Sequence, residues 1–401
     1  MMKCVRTLCI FACTLSLVVS CGRTVSGMLE TAPEWKLVVE TLDGARTESV
    51  ISSSVAAPVV SAGRNTITYQ WVDVSDSRID VIIEYTIHKG GEDFEVSKCV
   101  VNNGRTLVVK SIEGPYFSCD GLSFDNWNIL VPNGPGMKLS KAPADSSDTG
   151  IWQKEGDLYT FSSEFNTFGT TMSWFAFEGK GPKAGKTIYV NMADPRFRGK
   201  LFHWNYYPQT GLLGFGTTNL LSLHPGDTFT GAPMQVSFID GSWHEAADRY
   251  RAWFDSVKGV GDSPEWLKNS SGWLLAILKQ QNTEIIWDYR SISNELLEVA
   301  SGSNLDIIGL FGWAHGGHDR FYPEYFPDPE MGGEDALKKA IEEAHEKGKR
   351  VIIYANGQLI DQNGTDFWGE TGCHITSVKK DGSFYYEQWR KYSNAPGRIH
   401  G

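Results

Sequence analysis

His315, His318, Asp319, Arg320, Tyr322, Glu324 and Tyr325 crowd a single short stretch, the densest run of chemistry-bearing side chains in the sequence. One chemistry they suggest is metal ligation. His315-Gly-Gly-His318-Asp319 offers two imidazoles and a carboxylate, but a metal site needs further ligands from elsewhere and a defined second shell, so no metal is expected. The other is recognition of a polar ligand, for which Asp319 is the leading acceptor, with an ion pair to Arg320 as its alternative role.

The surrounding elements must position these groups. Leu305-Asp-Ile-Ile-Gly-Leu-Phe-Gly-Trp313 is a short apolar run of the kind a buried parallel strand shows, and it stops at the polar, glycine-rich stretch Ala314–Gly333. From Glu334 to Lys347 the period becomes 3.6. Leu337, Ala340, Ile341 and Ala344 share one face, acidic residues open the helix and Gly348 suits its C-terminal cap. A second apolar strand begins at Lys349 and runs to polar groups at Asn356 and Asp361. Upstream, Trp273–Leu278 reads as another strand and Ser291–Ala300 as another helix, so the region reads β-α-β-α-β.

The rest of the chain reads differently. Between residues 30 and 240, short alternating runs separated by turn residues predict a large antiparallel sandwich, with strands including Trp35–Glu40, Asn65–Val74, Asp80–Lys89, Glu92–Asn102, Thr106–Ile112, Leu158–Phe161, Thr170–Glu178, Lys186–Met192 and Thr228–Ile239. Gly90-Gly91 and Asn102-Asn-Gly104 read as hairpin turns, and Leu122–Asp148 as a long loop. Gly179 to Thr187 lacks the spacing of a phosphate-binding loop and reads as a turn. Ser242-Trp-His-Glu245 is a capping box that opens a linker helix, with Trp243, Ala246, Ala247, Tyr250, Phe254 and Val257 on one stripe.

A net charge of −11 without a basic stripe argues against nucleic acid and disfavours anionic ligands. No nicotinamide, flavin or nucleotide fingerprint is present, so no organic cofactor is expected. At the N-terminus, Lys3 and Arg6 precede an apolar run from Leu8 to Val19, too short to span a bilayer, and Val18-Val-Ser-Cys21-Gly resembles a bacterial lipobox. The expectation is a signal peptide over residues 1–20, lipidation of Cys21 and tethering in the bacterial cell envelope. An ordinary signal peptide with a chance cysteine is the other reading. Cys99, Cys119 and Cys373 would then remain as thiols, without the spacing of a zinc site or a disulfide framework.

Gly309-Leu-Phe-Gly-Trp-Ala-His-Gly-Gly-His-Asp319, Tyr322-Pro-Glu-Tyr-Phe-Pro-Asp-Pro329 and Tyr354-Ala-Asn-Gly357, together with the helix ending in Tyr250-Arg-Ala-Trp253, resemble the bacterial glycosidase-like proteins of the DUF6259 type. The resemblance runs from about Trp35 to Trp389. It implies a galactose-mutarotase-like β-sandwich over residues 30–240, a linker helix over 241–263, and a TIM-type (β/α) barrel from residue 264. About three βα units fit in 264–401 rather than eight, so the barrel is expected to be incomplete and the chain truncated before its catalytic carboxylates.

Barrel chemistry gathers at the C-terminal ends of strands. A carbohydrate partner would there meet Trp313 as an aromatic platform and His318, Asp319, Asn356 and Asp361 as hydrogen-bonding groups, with Asp361 and Asp366 the candidate catalytic carboxylates, or else solvated loop acids. The functional expectation is a glycoside hydrolase-like lipoprotein with absent or crippled activity. The alternative is a non-catalytic glycan-binding envelope lipoprotein, touching the membrane only through its lipid.

Overall fold

The structure, a computed structural model, describes residues 32–43, 49–88, 93–143, 151–165, 169–258, 261–362, 366–379, 381–387 and 398–400. The leader, Cys21, the Gly90-Gly91 turn and Trp389 lie outside the described residues. The chain falls into two units, Met1–Gly261 and Asp262–Gly401. It is β-rich with few helices, and among the described residues no helix is long and apolar enough to cross a membrane.

Alternating side chains build the first unit as two antiparallel sheets. One sheet runs β11 (Gln153–Glu155), β12 (Leu158–Phe165), β15 (Lys200–Tyr207), β16 (Leu212–Leu223), β7 (Leu107–Glu113), β1 (Lys36–Thr41) and β2 (Ser49–Ser52), with β8 (Phe117–Ser123) also paired to β16. The other runs β10 (Met137–Leu139), β9 (Trp127–Val131), β13 (Trp174–Gly179), β14 (Lys186–Met192), β18 (Met234–Asp240), β6 (Asp93–Asn102), β5 (Ile79–Ile87), β4 (Thr66–Trp71) and β3 (Val59–Ala62), with β17 (Thr228–Thr230) on β6. In β5 the residues Ile79, Val81, Ile83, Tyr85 and Ile87 are buried and those between are not, the period of a strand with one face on a core. Phe175, Phe177, Phe202, Trp204 and Phe215 are fully buried in that core.

Three expectations are corrected here. Leu122–Asp148 is not one long loop, because Trp127-Asn-Ile-Leu-Val131 pairs with both β13 and β10. Asn102-Asn-Gly104 is not a hairpin turn. It carries the chain from one sheet to the other, and the buried Asn102 amide ties the corner by donating to the Leu107 and Leu223 carbonyls at 2.9 and 3.0 Å. The helix α1 (Trp243–Lys258) does more than link, since Ala246 and Tyr250 pack on Trp174, Ala176, Tyr189 and Ile239 and so cover the outer face of the ten-stranded sheet.

Lys98, on β6, is buried with its ammonium donating to the Gly114 and Thr217 carbonyls at 2.7 and 3.2 Å and to Thr217 Oγ1 at 3.1 Å. Burial lowers its pKa to about 7, against the opposing pull of the Glu113 carboxylate. The unfolded chain holds that proton up to the ordinary 10.5, so between pH 7 and 9 it binds more protons than the folded one. Stability of the sandwich should therefore rise by about 2 kcal/mol over that interval, being lost as the pH falls back through 7. Urea unfolding at both pH values measures this. Lys98→Met should flatten the slope, and a wild-type slope already flat would refute the account.

The second unit holds three parallel strands in the order β19 (Trp273–Ile277), β20 (Ile307–Phe311) and β21 (Arg350–Ile353), in the register Leu275 to Gly309 to Ile352. The connections are helical. The helix α2 (Tyr289–Gly302) contains a π turn at Ile292–Leu296, and α3 (Gly333–Glu346) follows the loop after β20. Ile292, Leu296, Leu297, Leu337, Ala340 and Ala344 pack over Ile308 and Leu310, closing one face of the sheet. The strand expected from Lys349 to Asp361 is in fact two. β21 stops at Ile353, and β22 (Leu359–Asp361) joins a small antiparallel sheet with β24 (Arg398–His400) and β23 (Tyr386–Glu387).

Candidate functional site

The loop after β20 lies tightly on the end of β19. Gly312 (φ 64°) and Gly317 (φ 89°) make this possible, because a Cβ at either would come within 2.3 Å and 2.6 Å of the Lys279 and Gln280 carbonyl oxygens. The His318 N–H then donates to the Lys279 carbonyl at 2.9 Å. Below this contact the Lys279 ammonium is buried against Asp328 at 2.7 Å and reaches the exposed Glu330 at 2.5 Å. Burial opposes the Lys279 charge, but the hydrogen bonds and charges of the two carboxylates outweigh it and hold its pKa above the ordinary lysine value. Tyr289, its pKa pushed up to about 12 by burial, donates to the Trp313 carbonyl and accepts the Asp328 N–H, both at 2.6 Å.

On this base stands a buried carboxylate. Asp319, in the left-handed region at φ 55°, accepts from Tyr322 at 3.0 Å and from the Gln281 amide at 3.1 Å, with His318 Nε2 at 3.4 Å. Burial first, then the Asp319 charge, raises the Tyr322 pKa far above the ordinary phenol range, so Tyr322 stays a donor. Beside it Phe311, His318 and Tyr354 form a half-buried aromatic cluster. The Phe311 ring lies 3.9 Å from Tyr354 and 4.3 Å from His318, centroid to centroid. Asp319 and Gln281 are only 6% and 3% exposed, so the groups this cluster opens to a polyhydroxylated ligand are the half-buried Phe311, His318 and Tyr354 rings, with the carboxylate and amide behind them.

The structure brings His318 and Asp319 together at 3.4 Å, and places the other sequence candidates differently. Trp313 is no open platform. It is 8% exposed, its ring stacks on Tyr325 at 6.1 Å and its indole donates to the Tyr354 carbonyl at 2.9 Å, so it serves the core. Asn356 shapes a turn, its Oδ1 accepting the Gln358 and Leu359 N–H groups at 2.8 and 2.9 Å. Asp361 is fully buried, its carboxylate accepting the Phe321 N–H at 2.9 Å, while Asp366 is exposed with its N–H on Glu324 at 3.1 Å. The two are therefore not a pair of open carboxylates. His315 is stacked between Phe321 and Phe326 at 4.9 and 5.2 Å, and among the described residues no three His, Cys, Asp or Glu side chains gather as a metal would require.

Sequence reasoning marked Lys279–Gln281 only as a strand end and Phe311 only as part of a strand, and gave none of them a role in the site. Their only local signal was position at the C-terminal end of a strand. Gln281 reaches Asp319 across 38 positions, which no window on the sequence reveals.

No curated protein matches the chain. Among solved structures, alpha-N-acetylgalactosaminidase NagBb from Bifidobacterium bifidum in its GalNAc complex is similar, with TM-score 0.62 and 15% identity over 91% of this chain and 59% of that one. Its Gal-NHAc-DNJ complex gives TM-score 0.64 and 14% identity over 93% and 59%. The chain thus spans 59% of the length of these structures, and at such identity the likeness is one of fold. Residues 232–398 match the family described as Domain of unknown function (DUF6259), and the fold is similar to that of these glycosidase structures.

Proposed function

We propose that the protein is a glycoside hydrolase-like, carbohydrate-active lipoprotein of the bacterial envelope that binds a saccharide at the strand ends of its second unit and lacks the carboxylates for turnover. The observation that carries this reading is Asp319, braced by Tyr322 and Gln281, beside the partly open Phe311, His318 and Tyr354 rings. The solved relative is named for an α-linked amino sugar and has a sugar complex, which supports a carbohydrate ligand by analogy of fold.

An incomplete (β/α) barrel is part of the proposal. Trp273, Leu275 and Ile353 are 56%, 50% and 54% exposed, although parallel strands ordinarily bury both faces, and further strands beside β19 and β21 would cover them. Glycoside hydrolysis needs two carboxylates about 5 to 10 Å apart that both face the sugar. Asp361, fully buried on Phe321, does not offer one. Tethering through Cys21 rests on the leader residues alone. A non-catalytic glycan-binding lipoprotein is the second reading, favoured by the same buried Asp361.

Titration calorimetry of the full chain with N-acetyl-D-galactosamine tests the site. Asp319→Asn should weaken binding roughly 10- to 100-fold, the worth of a charge-assisted hydrogen bond. No release of p-nitrophenol is expected from p-nitrophenyl α-N-acetylgalactosaminide. Undiminished binding by the variant would remove the site, and turnover would show that the carboxylates are present after all.

A further inference from the structure

The eight-stranded sheet turns a polar face away from its core. Phe161 and Trp204 point inward, so their strand neighbours Thr160, Ser162, His203 and Asn205 point outward, facing one another across β12 and β15. These residues line a cavity of about 520 Å³, a size suited to one small ligand. Its floor is aromatic for a specific reason. β16 has glycine at 214 and 216, where a Cβ would stand 3.1 Å from the Tyr207 ring and 2.6 Å from the Tyr116 ring, so each ring lies on bare backbone. Both tyrosines remain half-exposed and line the cavity.

Glu34, exposed on the lining, leaves the cavity one negative charge in excess, which disfavours an anionic ligand. Glu113, hydrogen-bonded by Tyr116, is balanced by Lys36 at 3.5 Å, and Lys36, Glu113 and Thr218 stand in one register row across β1, β7 and β16. His203 is fixed at both nitrogens, Nδ1 at 2.7 Å from Ser162 Oγ and Nε2 at 2.7 Å from Thr218 Oγ1. Burial lowers the His203 pKa to about 4 against the pull of Glu113, so the imidazole is uncharged at neutral pH. Asn205 is 3% exposed and accepts from Thr160 at 3.1 Å, while among the described residues its amide N–H₂ has no acceptor. An amide donor, carboxylate acceptors and aromatic faces match a ring that is polar at its rim and apolar on its face.

We propose that this cavity is a second saccharide site, which takes one neutral hexopyranose with its apolar face on Tyr207 and hydroxyls on Asn205 and Glu113. It stands on the geometry of the sandwich and does not require the Asp319 cluster to bind sugar. The test is saturation-transfer NMR and calorimetry of the full chain with D-galactose and D-glucose, in an Asp319→Asn background that disables the other cluster. Binding of at least one hexose should persist in that background. Adding Asn205→Ala should raise its Kd at least tenfold, and adding Tyr207→Ala should do the same and carries the test if Asn205→Ala lowers the melting temperature. Loss of all hexose binding in Asp319→Asn, or binding indifferent to both sandwich variants, overturns the proposal. If instead Asn205→Ala alone removes all binding and Asp319→Asn none, this site stands and the strand-end reading falls.

Discussion

Lys279→Ala should cost the second unit about 3 to 5 kcal/mol, because it leaves a charge buried without its partner. Lys279 is 3% exposed and Asp328 is 0%, and they meet at 2.7 Å. The second contact, to Glu330, does not set the magnitude. Glu330 is 70% exposed, and an ion pair to so solvated a carboxylate is worth at most about 1 kcal/mol. The cost lies in Asp328, whose carboxylate would retain, among the described residues, only the Glu330 N–H at 2.9 Å. Scanning calorimetry should show the loss in the transition of the second unit. Lys279→Met combined with Asp328→Asn should recover most of it, since Asn keeps the oxygen for Glu330 and removes the charge. A single variant within about 1 kcal/mol of wild type would show that the pair is not desolvated as described.

Phe175→Ala should destabilise the sandwich by a similar amount, about 3 to 5 kcal/mol. The ring is fully buried and meets four others edge-on: Phe177 at 5.9 Å, Phe202 at 5.5 Å, Trp204 at 5.0 Å and Phe215 at 5.7 Å, with interplanar angles of 75° to 76°. These neighbours come from both sheets, so the space cannot collapse without moving one sheet toward the other. Phe254 makes the contrast. It is 37% exposed on α1, and Phe254→Ala should change stability by less than about 1 kcal/mol. Urea midpoints of the two variants decide the matter, and equal shifts would mean that the ring cluster adds nothing beyond area.

Legibility followed the range of the interactions. β5 and β6 alternate strictly and were readable, as were β14, with its apolar run Ile188-Tyr-Val190, and α1 and α3 with their apolar stripes. β16 was not, because Gly214, Gly216, Thr217, Thr218 and Asn219 read locally as turn material, while the structure buries them in a strand with β15 on one side and β8 and β7 on the other. β9 was lost among the Asn, Pro and Gly that flank it. Among the candidate residues, Asp319 stands out in the sequence by its company of His and Tyr. The role of Trp313 could not be read, since an aromatic after a strand looks the same whether its ring faces a ligand or stacks on Tyr325. Asp361 was misjudged for the same cause. Its sequence shows an acid at a strand end, and only the fold shows that Phe321, 40 positions earlier, already occupies it.

The bond from Lys98 to Thr217 spans 119 positions and ties the two sheets together. A ribosome adding about 5 to 20 residues per second needs roughly 6 to 24 s to make the second partner after the first. Through that interval β4, β5 and β6 can already pair with one another, since their contacts are local, yet of the opposite sheet only β1, β2, β7 and β8 have been made, without the β16 and β15 that complete it. The nascent chain thus carries a partly uncovered apolar face for many seconds, and its yield in a cell should depend on whatever shields that surface until β16 emerges.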